Sequence, residues 1–353
     1  MSHSKQKHVL ALMPDQKVGF FATFLIVILA AVVVLVYLVA ALEWRSRPFL
    51  GAMLTPYLAV DGSRPITAGT WEAVNAGLDR LDLVTAVNGQ ALFDQPGDYT
   101  GAQQRFMSIL SGMEPGRGVE LTFIRSSGSP PPEAACRPLP DSSLECQISF
   151  TLQTLPNSDL LTYFVLPFIS GIITWVIAAA VLLLRPNQPN ARIISTFSAC
   201  LAIFMAGMFN INNTYQLLVI WLAATWGIGG ALGALALSFP VPLTLLYRMP
   251  RLVYLPAVGS VIGFVVSLLL YLNPPNRTVF PDVWQPGVFY AVLMLITLAG
   301  NLIRRRRLAA SAGLRDQANT VLIGIALTAS PILIWAVDAL MWALTNTNFL
   351  RIN

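Results

Sequence analysis

Residues 18–42 read VGFFATFLIVILAAVVVLVYLVAAL, 25 positions without a charge. About 20 apolar residues cross a bilayer as a helix, so this run predicts a transmembrane anchor. Lys5, Lys7 and Lys17 precede it. A cleaved secretory signal is the alternative, with Val39-Ala40-Ala41 as its cleavage site. Such signals carry an apolar stretch of only about 7 to 15 residues, which favours the uncleaved anchor. Further apolar runs lie near Leu161–Leu184, Ile193–Phe209, Leu217–Phe239, Leu252–Leu272, Val283–Ile303 and Val321–Leu344. Seven candidate spans, 55% hydrophobic residues and 11% charged ones set the chain apart from soluble proteins, which average about 25% charged.

Basic residues orient the spans. With the N-terminus cytoplasmic, the short inner segments hold Lys5, Lys7, Lys17, Arg185, Arg192, Arg248, Arg251, Arg304, Arg305, Arg306, Arg307 and Arg315, and the short outer ones only Arg277 and Arg351. That asymmetry follows the positive-inside rule. The net charge of +5 is therefore read as topology. It does not suggest nucleic-acid affinity, because no soluble basic and aromatic patch accompanies it. The run Arg304–Arg307 abuts a span and suits anionic inner-leaflet lipid.

The reading divides the chain into a cytoplasmic N-terminus (1–17), an anchor (18–42), an extracytoplasmic domain (43–160), a six-helix bundle (161–345) and an outer tail (346–353). An odd number of spans leaves the C-terminus outside, which fits either a complete seven-span protein or the front of a longer one. In residues 43–160, Gly, Pro, Asp and Arg return and apolar positions alternate in short runs. Strands are expected at Phe49–Val60, Leu83–Asn88, Gly118–Arg125 and Gln147–Leu155. A helix is expected at Ala102–Leu110 and a short helix or turn at Thr70–Gly77, with Ser126–Pro132 as a loop.

Ala76-Gly-Leu-Asp-Arg-Leu-Asp-Leu-Val-Thr-Ala-Val-Asn-Gly89 resembles the bacterial PDZ signature, in which Ala-Gly-Leu, a Gly-Asp pair, an aliphatic strand and Val-Asn-Gly succeed one another. Leu81 stands where that pattern has Gly before Asp82. The resemblance spans Arg47 to Arg125. It implies an inserted PDZ-like α/β domain that accepts an extended peptide or protein segment as an added strand. The carboxylate loop would be Phe49-Leu50-Gly51-Ala52, and the groove helix would present Gln103, Phe106, Met107 and Leu110. The plainer reading makes Phe106 and Leu110, four apart on a helix, simple core.

Cys136 and Cys146 flank a proline-containing turn in the exported segment. An oxidising compartment would let them pair, and two free thiols is the alternative. Cys200 lies within a span and reads as a small packing residue. Catalytic inventory is thin. The two histidines, His3 and His8, precede the first span, as do all three lysines. That leaves no HExxH, no axial haem histidine and no Ser/Lys pair in the bundle. No P-loop or dinucleotide motif, cofactor or metal site is expected, and no enzymatic activity within these residues.

Asp338 is the one acid well inside a span, and a functional and a structural role stay open for it. Gly229-Gly-Ala-Leu-Gly233 offers a small-xxx-small packing face. Asn210, Asn212 and Asn213 read as solvated caps at an outer helix end. The bundle's wording, Leu235-Ala-Leu-Ser-Phe-Pro-Val-Pro242, Tyr254-Leu-Pro256 and Arg306 through Gly313-Leu-Arg-Asp-Gln-Ala-Asn319, resembles the input half of multi-pass bacterial sensor histidine kinases of the competence pheromone receptor type. Ala234 stands where relatives often have a histidine near the Phe-Pro pair. The resemblance implies a membrane sensor or receptor for a peptide or hydrophobic signal, acting as a homodimer or in a membrane complex. The competing expectation is a non-catalytic scaffold subunit. A transporter is disfavoured by the lack of paired intramembrane charges.

Overall fold

The computed structural model describes residues 16–326, apart from 62, 96, 127–128, 133, 241–245, 247, 275–279, 309–310 and 314. Asp338 and most of the seventh expected span lie outside the described residues. Among the described residues six helices are long and apolar enough to cross a membrane: Lys17–Arg45, Asn157–Leu184, Pro189–Gly207, Leu218–Ser238, Arg251–Leu272 and Phe280–Arg307. Residues 315–326 are also helical.

The first helix, α1 (Gln16–Arg45), continues past Leu42. Its 30 residues make it about 45 Å long, against a hydrocarbon layer of about 30 Å. One face, with Val27, Ala30, Val34, Tyr37, Ala41 and Trp44, is buried at helical spacing. The other face exposes Phe21, Leu25, Ile28, Leu35 and Leu42. Apolar residues on both faces suit a helix with lipid rather than water on its outer side.

Between α1 and the bundle, short helix α2 (Glu72–Asn75) and strands β1 (Leu83–Val87) and β2 (Gln90–Ala91) precede helix α3 (Tyr99–Ser111). Strands β3 (Gly118–Arg125), β4 (Ala135–Pro138) and β5 (Leu144–Thr151) follow. They form one antiparallel sheet in the order β2-β1-β3-β5-β4. Strict alternation in β3 puts Val119, Leu121 and Phe123 into the core, as a half-buried strand requires. Cys136 and Cys146 are cross-strand partners in β4 and β5, 4.1 Å apart between Cα atoms and joined as a disulfide.

The expected strand Phe49–Val60 is not continuous. A turn at Thr55–Leu58, with Pro56 and with Leu58 at φ +60°, folds it back so that Leu54 pairs with Val60. Positive φ is costly for a branched residue, and here it reverses the chain within four positions.

After β5, a short helix α4 (Asn157–Leu160) passes through a π-turn (Leu161–Val165) into α5 (Leu166–Leu184). Helices α6 (Pro189–Gly207), α7 (Asn210–Asn213), α8 (Leu218–Ser238), α9 (Leu255–Leu272) and α10 (Phe280–Leu308) complete the described bundle. The central helix is α8, packed against α6, α9 and α10. Its glycines allow this: a side chain at Gly229 would strike Tyr290, and one at Gly233 would strike Pro256 and Met294. At its C-terminal end Asn301 donates to Ala236 O at 3.1 Å and Arg305 to Phe239 O at 2.7 Å. A cation there answers the negative helix terminus.

Candidate functional site: a closed groove between domain and bundle

The segment after α1 belongs to two cores at once. Phe49 and Met53 pack with the helices, whereas Leu50, Ala52 and Leu54 pack with the sheet domain. The alternation is that of an extended segment buried on both sides, interrupted by a bend at Gly51. Trp44 at the end of α1 meets Phe49 at 5.8 Å and Phe209 at 5.1 Å between ring centroids, and Phe49 meets Trp71 at 5.1 Å. The domain is thereby docked on the bundle through aromatic contacts.

Hydrogen bonding along the segment leaves one edge open. Thr55 N donates to Ala59 O at 2.7 Å and Asp61 N to Met53 O at 3.0 Å, so one edge is paired. Alternation then turns the backbone groups of Leu54 and Ala52 to the other edge. Among the described residues no strand pairs with Ala52 or Leu54 on that second edge. Among the described residues its one hydrogen bond comes from the bundle: Tyr215 Oη donates to Leu54 O at 3.3 Å.

Helix α3 forms the far wall. Asp98 caps it, accepting from Gly101 N at 2.9 Å, and Arg105 ties it to Leu92 O at 2.8 Å. Phe106 is buried, and Gln103, Met107 and Leu110 are half-buried. The groove is lined by Phe49, Leu50, Ala52, Leu54, Phe106, Met107 and Leu110, and roofed by Asn212, Asn213 and Tyr215. Gly51 and Gln103 do not line it. About 20 Å³ of free space remains, room for about one water and far too little for a peptide.

Gly51 packs closely against α2. At φ +83° its carbonyl accepts from Val74 N at 3.3 Å, and an added Cβ would stand 2.6 Å from Ala73 N. Close approach of α2 requires glycine here. Two of the three asparagines read as solvated caps need correction, Asn212 staying half-exposed. Asn210 is wholly buried and Asn213 nearly so, because the domain docks over that helix end and excludes solvent.

The roof is a strained loop. Tyr215 and Leu217 have φ of +58° and +53°, left-handed values that cost a side-chain-bearing residue energy. Tyr215 N donates to Asn210 O at 2.7 Å, and Thr214 Oγ1 to Asn210 Oδ1 at 2.6 Å. Two buried polar atoms, Asn210 Nδ2 and Thr55 Oγ1, have no partner among the described residues. Unsatisfied buried groups of this kind are uncommon. Burial pushes the Tyr215 phenol up, with the Asp61 carboxylate adding to the shift, and burial also raises Asp61.

Two further ties hold the domain to the helices. Asp159, fully buried at the start of α4, accepts from Trp71 Nε1 at 2.8 Å and from Ile66 N at 2.7 Å. Tyr57 Oη donates to Tyr271 O at 3.1 Å, and its ring packs on Tyr99, Tyr271 and Phe280. Sequence reading singled out neither Asp159 nor Tyr57, whose partners are 88 and 214 positions away. Among the described residues no group of His, Cys, Asp and Glu is placed to hold a metal. The chain matches no protein-family profile, no curated protein and no solved structure.

Proposed function

We propose that the chain is a membrane sensor or receptor module, with its N-terminus cytoplasmic and residues 43–160 outside. In this reading the exported domain is PDZ-like. An extended peptide or partner segment competes with the bundle's own loop for the open edge at Leu50–Leu54. The observation that carries it is the Tyr215 contact to Leu54 O, a long hydrogen bond from a strained loop onto the edge where strand addition would occur. A peptide adding there would make several main-chain bonds in place of one. It would lift the loop between α7 and α8, and α8 is the helix against which α6, α9 and α10 pack. A change outside thus reaches the whole bundle.

The test uses a photoreactive benzoylphenylalanine at Met107 in the full chain. At rest it should cross-link to residues 212–215. With a library of peptides bearing free C-termini, Tyr215→Ala should shift capture toward peptide several-fold relative to the unmodified loop. If neither form captures any peptide, the groove is only a packing joint and the sensor reading of this domain fails. Stoichiometric co-purification of one membrane partner would instead favour the scaffold alternative.

A further inference from the structure

Between Trp221 and Ala236 every residue of the central helix α8 is buried except Ala223, Gly227 and Ala234. Their spacing of four and seven puts them on one face of the helix. All three line a single cavity of about 490 Å³, inside the ~300–1,000 Å³ range of small-molecule sites. Helix α1 packs on α6, and α9 on α8, so the cavity is the gap left between α1 and α9, floored by α6 and α8. The outer wall includes Tyr254 and Val261, 44% and 61% exposed, and the gap opens sideways past them, where lipid chains would lie. None of its lining residues belongs to the domain at 43–160, so the cavity is separate from the groove described above.

The walls decide what can fill this slot. Packed interiors hold few voids larger than a water, and a buried water needs two to four polar partners. Most of the lining is Gly, Ala, Val and aromatic side chains, which favours hydrocarbon over water. From Ala223 to Ala234 the floor runs eleven positions, about 16 Å along the helix axis. That is about half of the ~30 Å hydrocarbon layer, the reach of one lipid tail. The polar lining is largely committed. Thr23 Oγ1 donates to Gly19 O at 3.0 Å and Ser260 Oγ to Trp226 O at 2.8 Å, so both protons are taken by backbone carbonyls while both oxygens can still accept. Arg192, buried against Gly19, already holds an interaction of its own and serves here as wall.

We infer that this slot binds a neutral single-chain lipid of the long-chain alcohol type, entering from the bilayer with its tail along Ala223, Gly227 and Ala234 and its hydroxyl donating to Thr23 Oγ1 or Ser260 Oγ. A hydroxyl supplies the proton that these two oxygens can still accept, whereas a carboxylate would set lone pairs against lone pairs there. A second tail would find no further unpacked stripe between Trp221 and Ala236.

The experiment uses the full chain in phosphatidylcholine nanodiscs with diazirine probes of one chain length: hexadecanol, its methyl ether and palmitate. The alcohol should label the slot-lining parts of α8 and α9 about two- to tenfold more than the methyl ether, which cannot donate, the equivalent of one neutral hydrogen bond. Thr23→Val combined with Ser260→Ala should leave these two probes equal. Ala223→Leu combined with Ala234→Leu, which fills the slot, should suppress both there. Labelling around Ile173, 56% exposed on the outer face of α5, is the reference and should be the same in every variant, which separates a filled slot from a misfolded chain. Slot labelling no stronger than at Ile173, or unchanged by the two leucines, would overturn the inference. So would stronger labelling by palmitate, or equal labelling by a phosphatidylcholine that carries the diazirine in one tail.

Discussion

Asp82 and Arg125 are the charged pair at the centre of the domain. Arg125 Nε donates to Asp82 Oδ1 at 2.9 Å and Nη2 to Oδ2 at 2.6 Å, with further bonds to Gly77 O and Ser129 O. Their side chains are 3% and 10% exposed. Removing one partner of a buried pair leaves the other uncompensated, so Asp82→Ala should cost about 3–5 kcal/mol. The Arg64–Asp79 pair has the same 2.6 Å separation but is 51% and 60% exposed. Asp79→Ala should therefore cost no more than about 1 kcal/mol. Urea denaturation of the two variants in detergent checks this, and equal midpoints would contradict it. Leu81, where the signature has glycine, adopts φ +69°, so the turn keeps its left-handed step without the residue that makes it cheap.

At the scale of elements, the segment Phe49–Leu54 explains both the docking of the domain and the position of the groove. Gly51 is its tightest point. With φ +83° and a virtual Cβ 2.6 Å from Ala73 N, Gly51→Val should destabilise the domain by at least about 1–3 kcal/mol from backbone strain. It is therefore a probe of folding and not of ligand affinity. A Gly51→Val protein with an unchanged denaturation midpoint would show that α2 can move away.

Periodicity made some elements legible. The alternation of Gly118–Arg125 marks β3 at both ends, and Ala102–Leu110 falls inside α3. The break at Thr55–Leu58 was not legible, because it depends on Leu58 taking a left-handed conformation that its side chain disfavours. Closure of the groove was also hidden. It rests on a contact between Tyr215 and Leu54, 161 positions apart, which no local pattern encodes.

For the whole molecule, the aromatic and hydrogen-bonded ties at Trp44, Phe49, Trp71, Tyr57 and Asp159 all lie at one end of the bundle. Arg185, Arg192, Arg251 and Arg304–Arg307 flank the opposite helix ends. Helix length and apolar outer faces were readable from run length alone. The central place of α8 had a single sequence signal, the small-xxx-small face at Gly229–Gly233, which marks close packing but not with how many helices. A signal that crosses the membrane requires the domain and the arginine-rich ends to face opposite compartments. The direct measurement is cysteine labelling of intact cells in a Cys200→Ala background, with Ser129→Cys in an exposed loop of the domain and Arg307→Cys at the exposed end of α10. An impermeant maleimide should label Ser129→Cys in intact cells and Arg307→Cys only after permeabilisation; labelling of both sites from outside would contradict the account.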